Sequence, residues 1–139
     1  WFTERSVEFW KRMLDRVDPG VVLCLENVME DEPELLTNIV RSVNDPRFMM
    51  CLDVGHAHCQ SPLHVTEWID CMKPYVRHVH VHNNYGDRDE HAALFDGTLD
   101  MLSVLNKLES DCPEASYAIE SLTCAESVAQ LLDKGVLED

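Results

Sequence analysis

No G-x-G-x-x-G and no G-x-x-x-x-G-K-[ST] follows the first strand-like run, so the glycine-rich turn that cradles a pyrophosphate is missing and a nucleotide fold has no support. Six cysteines stand at 24, 51, 59, 71, 112 and 124, yet no two form C-x-x-C. Cys24 and Cys51 lie in apolar runs, where cysteine behaves as a small buried hydrophobe. The six are expected to be reduced thiols of a cytoplasmic protein; a disulfide scaffold is the alternative. Cations are scarce. Lys and Arg number 11 against 26 Asp and Glu, a net charge of −15. That field repels nucleic acid and anionic membranes at long range. No apolar run approaches the ~20 residues of a membrane span. No signal peptide, linker or low-complexity segment is visible.

What is present is enough for one domain with a real core: 139 residues, 45% of them hydrophobic. The sequence opens on Trp1-Phe2 rather than Met, as a piece of a longer protein would.

Strand and helix signals alternate. Val7, Trp10, Leu14 and Val17 give residues 3–16 a helical spacing, and Asp18-Pro19-Gly20 stops it. Residues 21–25 form a short apolar run ending in Glu26 and predict a buried strand. Residues 34–43 predict a helix entered through Asp31-Glu32-Pro33. After the turn at Asn44-Asp45-Pro46, residues 48–52 predict a second strand ending in Asp53. Residues 54–63 read as a loop, and 63–72 as a helix stopped near Pro74. Residues 76–82 predict a third strand, followed by a long polar loop to Asp96-Gly97. An amphipathic helix over 98–108, a fourth strand over 116–119 ending in Glu120, and a helix over 124–133 capped by Gly135 complete the chain. This is the grammar of an α/β fold with a parallel sheet.

Each expected strand ends in a metal-type ligand: Glu26, Asp53, His80 to His82, and Glu120. Glu26 and Asp53 are 27 residues apart, as are Asp53 and His80; His80 and Glu120 are 40 apart because of the polar loop. In parallel α/β folds the C-terminal strand ends share one face, which carries active sites. Strand alternation points His78, His80 and His82 one way, and Val79 and Val81 the other. His78 is expected below the site, hydrogen-bonded in the core. His58, His64 and Cys59 are expected at the surface, Trp10 and Trp68 in the core. Three carboxylates with an imidazole suit Mn²⁺, Mg²⁺, Co²⁺ or Zn²⁺.

Leu25-Glu26-Asn27, Asp53-Val54-Gly55-His56, His80-Val81-His82-Asn83-Asn84, Asp89-Glu90-His91, Gly97-Thr98-Leu99-Asp100 and Ile119-Glu120-Ser121 occur in this order. Together they resemble the xylose-isomerase-like TIM barrels, which include sugar isomerases and epimerases and the endonuclease-IV type of apurinic/apyrimidinic endonuclease (AP endonuclease family 2). The resemblance covers nearly the whole chain, but only strands five to eight of a barrel: one (β/α)4 unit over residues 1–139, the C-terminal half. It implies that Glu26, Asp53, His80 and Glu120 bind one divalent metal. In the endonuclease branch it implies that His56, Asp89 and His91 hold a further zinc. In the sugar branch the residue matching His56 contacts substrate. His82, Asn27, Asn83 and Asn84 are expected to orient ligands or face substrate, and Arg88 to hold a substrate oxygen or pair with Asp87 or Asp89.

Two enzymes fit. One is a metal-dependent isomerase or epimerase of a small sugar or polyol, working through an enediolate, with Glu26 and Glu120 moving the proton and His56 assisting. The other is a zinc phosphodiesterase cutting DNA at abasic sites, disfavoured because Arg88 is the one cation in the loops of the catalytic face. A third reading is an inactive metal-binding fragment. The open sheet edges are expected to be covered by the missing N-terminal half-barrel or by a second copy in a homodimer.

Overall fold

The computed structural model describes residues 1–137. Ten elements follow one another: α1 (Phe2–Leu14), β1 (Leu23–Glu26), α2 (Glu34–Val43), β2 (Phe48–Asp53), α3 (Val54–Gln60), α4 (Val65–Met72), β3 (Val76–Val81), α5 (Met101–Asp111), β4 (Ser116–Ile119) and α6 (Cys124–Asp133). The four strands form one sheet in the order β1-β2-β3-β4, with every pairing parallel. Neighbours in sequence are therefore neighbours in space, as repeated strand–helix units require. The α/β architecture expected from the sequence is the one observed.

Period-two alternation divides the sheet into two faces. Phe48, Met50, Leu52, Val79 and Val81 are buried and belong to the apolar core shared with the helices. Trp68 of α4 lies at its centre, fully buried, with its indole N–H donating to Ser61 Oγ at 3.0 Å. Burying such side chains, at about 25 cal/mol per Å² of apolar surface, is the main force holding helices to sheet. Trp10 is half-buried and packs its ring 4.8 Å from that of Phe48. The other face carries Glu26, Cys51, Asp53, His78 and His80, set side by side by the register Glu26↔Cys51, Cys51↔His78 and Asp53↔His80.

Residues 54–60 are a helix rather than the expected loop. The cause is Asp53, which ends β2 and caps α3: its backbone is extended and its carboxylate accepts from the His56 N–H at 2.8 Å. α5 starts at Met101 rather than residue 98 because Asp100 caps it, accepting from the Ser103 N–H at 3.2 Å. α4 starts at Val65, fixed by a capping box between His64 and Glu67. β1 begins two residues later than expected, leaving Val21 and Val22 exposed. His78 is half-buried rather than in the core, its Nδ1 2.8 Å from Ser116 Oγ. His58 is half-buried, against expectation, with Nε2 2.9 Å from Thr98 Oγ1.

β1 and β4 each pair on one side only. No helix among the described residues is long and apolar enough to cross a membrane.

Candidate metal centre

At the C-terminal ends of the strands, His80 Nδ1 lies 3.2 Å from Glu26 Oε1, 3.3 Å from Glu120 Oε1 and 3.7 Å from Asp53 Oδ2. Glu26 and Glu120 arrive from the two outer strands, Asp53 and His80 from the two inner ones. One ring nitrogen can give one hydrogen, so at most one of the three carboxylates is satisfied by it. Asp53 is fully buried, and its two oxygens differ. Oδ1 accepts from the His56 N–H at 2.8 Å and lies 3.0 Å from His82 Nε2. Oδ2 has no hydrogen-bond partner. A buried, unpartnered carboxylate oxygen facing an imidazole and two further carboxylates is a poor arrangement for a lone side chain and a good one for a cation.

Burial alone would raise the Asp53 pKa, but the hydrogen bond from His82, the charge of His82 and the His56 N–H outweigh it, and the net shift is downward. The partner shift agrees. Burial lowers the His82 pKa, and the Asp53 contact more than reverses this, so His82 is raised. Each shift favours the charged form of its group.

A second cluster lies beside the first. His56, His82, Asp89 and His91 each place a ligand atom within 4.8 Å of the others. His56 Nδ1 is 2.9 Å from the Asn27 carbonyl and His91 Nδ1 is 2.7 Å from the Glu120 carbonyl. A carbonyl only accepts, so both Nδ1 atoms carry the hydrogen and both Nε2 atoms are turned inward. Main-chain carbonyls holding the far nitrogen are the usual support of metal-binding histidines. His91 reaches this position with φ of 51°, a left-handed conformation uncommon outside glycine. Its carbonyl accepts from the Leu122 N–H at 2.9 Å, so the long loop is tied to the segment after β4.

The asparagines are scaffolding. Asn27 clamps the main chain of Asp53, donating to its carbonyl at 2.9 Å and accepting from its N–H at 2.8 Å. Asn83 uses all four of its hydrogen-bonding positions, on Leu94, Leu99 and Asn84. Asn84 donates to the Gly55 carbonyl and accepts from the Gly86 N–H. Gly55 lies against the His82 ring so closely that a Cβ there would collide with it. Arg88 is 78% exposed and lies near Asp87 and Glu90, not Asp89. His82 joins the second cluster as well as bonding Asp53; its inward side is readable from the alternation of 78, 80 and 82, but its contact with Asp89 depends on a loop fold that no local signal specifies.

A model of the xylose isomerase-like TIM barrel family matches residues 2–121. A Methanocaldococcus jannaschii protein, MJ1311, itself uncharacterized, is 29% identical over 118 residues, which is 80% of this chain and 40% of that protein. A D-tagatose 3-epimerase-like protein superimposes with a TM-score of 0.73 at 23% identity, over 91% of this chain and 50% of its own. A Thermus thermophilus protein, TTHB071, solved after soaking with ZnCl₂, superimposes with a TM-score of 0.72 at 22% identity, over 99% of this chain and 57% of its own. The chain thus spans about half the length of these relatives. With the family model covering residues 2–121 and four parallel strand–helix units in sequential order, the chain belongs to the xylose isomerase-like TIM barrel family and forms about half of such a barrel.

Proposed function

We propose that this chain carries the metal pocket of a divalent-metal-dependent isomerase or epimerase acting on a small sugar or polyol. The observation that supports it is the crowding of Glu26, Asp53 and Glu120 around His80 Nδ1, with Asp53 Oδ2 left unpartnered. The residues fit a hard or borderline ion: Mn²⁺, Mg²⁺, Co²⁺ or Zn²⁺ on Glu26, Asp53, His80 and Glu120. Such an ion would polarise a sugar carbonyl and its neighbouring hydroxyl.

The chain's own residues supply the rest. Glu26 and Glu120 stand on opposite sides of His80, so one can take a proton from the carbon beside the carbonyl and the other can return it. Asp53 is held by Asn27 and His82 and orients the pocket. His56, pinned through Nδ1, offers Nε2 to a substrate oxygen or to a second ion. The single cation in the loops of the catalytic face, Arg88, is turned to solvent among acids, which favours an uncharged substrate over a sugar phosphate. The D-tagatose 3-epimerase-like relative supports the same substrate class.

The second cluster favours another reading, a zinc phosphodiesterase acting at abasic sites in DNA. The net charge of −15 weighs against it on this chain. The third reading, a fragment that binds metal without turnover, follows from the same pocket when the rest of the barrel is absent. Metal analysis with paired assays tests all three. One Mn²⁺ per chain with epimerisation of a neutral ketose or polyol supports the first. Two zinc ions with nicking of an abasic oligonucleotide replaces it with the second. Metal binding with neither activity, in this chain and in the chain joined to the remaining half-barrel, leaves the third.

A further inference from the structure

Helix α6 is fastened by polar groups more than by apolar packing. Only Ser127 and Leu131 of its ten residues are buried, and an apolar groove lined by Leu105, Tyr117 and Leu131 opens beside it. Ser127 is fully buried, and a hydroxyl in that setting is costly unless it is bonded. It has two partners. Ser127 Oγ lies 2.6 Å from Ser121 Oγ and accepts from the Leu94 N–H at 3.3 Å. One turn on, the Gln130 side chain accepts from the Phe95 N–H at 3.0 Å and donates to Asp96 Oδ1 at 3.2 Å. A further turn on, Lys134 Nζ stands 4.6 Å from the centre of the Phe95 ring. Residues 127, 130 and 134 share one side of a helix, so a single stripe of α6 holds a single loop segment, residues 94–96.

Both partners of Ser127 bear on His91. Ser121 is the middle residue of the segment that clamps this histidine. The Glu120 carbonyl takes the Nδ1 hydrogen of His91 at 2.7 Å, and the Leu122 N–H donates to its main-chain carbonyl at 2.9 Å. Leu94 lies three residues further along the loop. His91 has φ of 51°, a conformation that a histidine keeps only where its surroundings impose it. We infer that Ser127, with Gln130 beside it, is a positioning residue of the second cluster: the polar stripe of α6 sets where His91 Nε2 points, and so how tightly His56, His82, Asp89 and His91 hold Zn²⁺. The inference rests on that cluster as a cation site and not on the reaction assigned above. The pocket around His80 depends on the stripe less. Glu26, Asp53 and His80 stand on β1, β2 and β3, and only Glu120 adjoins a residue that Ser127 holds.

The test is Zn²⁺ titration of the full chain by calorimetry, with Co²⁺ absorption reporting the geometry of the bound ion. Ser127→Ala should weaken the second ion about tenfold and leave the first within about twofold. Gln130→Ala should act in the same direction with a smaller effect. Val104→Ala, at a core position of α5 outside these hydrogen bonds, is the control for stability alone. It should lower the urea midpoint and leave the affinity for both ions within about twofold. At saturating Co²⁺ the visible band of the second ion should change in Ser127→Ala and not in Val104→Ala. Should Ser127→Ala not fold, Gln130→Ala combined with Lys134→Ala carries the test. A second-ion affinity unchanged in the variant that folds, or lowered as much by Val104→Ala, gives α6 a structural role only and overturns the inference. A wild type that takes no second ion overturns it together with the second cluster, and leaves the pocket around His80 to stand on its own ion.

Discussion

His56 and His91 present their Nε2 atoms to the same oxygen of Asp89, at 3.2 and 3.1 Å, while each gives its Nδ1 hydrogen to a main-chain carbonyl. Two neutral rings so arranged would aim lone pairs at a carboxylate. A cation at that point would accept both lone pairs and balance the carboxylate. Zinc titration near neutral pH should therefore saturate at two ions per chain, and Asp89→Asn or His91→Ala should reduce this to one. Inductively coupled plasma analysis after gel filtration reads the count; two ions retained in both variants would remove the second cluster as a metal site.

Glu120→Gln keeps the shape of the side chain and removes its charge. It should weaken Mn²⁺ binding by about tenfold or more and abolish turnover in the completed enzyme. Titration calorimetry measures the first effect and an epimerisation assay the second. Full activity in the variant would take Glu120 out of the site.

Gly55→Ala places a methyl group against the His82 ring. Overpacking of this kind costs about 1–3 kcal/mol. Urea unfolding should show a lower midpoint with an unchanged slope, and the variant should lose one zinc, because a displaced His82 no longer supports Asp53 and the second cluster. An unchanged midpoint would mean that the ring is free to move aside.

Asn27→Ala breaks both hydrogen bonds to the Asp53 main chain and leaves those groups unpaired in a buried setting. The expected loss is about 1–3 kcal/mol of stability, with weaker metal binding in the same variant. Asn27→Asp should recover the acceptor half only. If Asn27→Ala binds metal as tightly as the wild type, the clamp serves the fold alone.

β1 and β4 are open edges, and Val21, Val22 and Tyr117 are exposed near them. A further half-barrel or a second copy is expected to cover them. Light scattering at micromolar concentration should detect self-association of the isolated chain. A stable, well-folded monomer there counts against the need for cover.

The strands and the four residues at their ends were legible because both rest on local pattern: short apolar runs, and a carboxylate or imidazole just after them. Helix α3 was not, since Asp53 serves as strand end, cap and pocket wall at once, and seven residues with three polar side chains carry too little periodicity to announce a helix. The place of His91 was illegible for another reason. It depends on a left-handed residue and on the Glu120 carbonyl and Leu122 N–H after β4, which sequence spacing does not encode. Cys51 illustrates an opposite limit: an apolar run describes a cysteine as core, and only the register beside Glu26 and His78 shows that it lies on the pocket side of the sheet.

The sequential order of the strands has a consequence for synthesis. Each strand can join the sheet as it leaves the ribosome, without waiting for a distant segment. The cation pocket cannot mature at that pace, because Glu120 comes with the last strand and also fastens His91 through its carbonyl. A chain halted before residue 120 would hold three of these four strands and lack one carboxylate of the proposed pocket, so metal capture is expected to wait for the fourth strand.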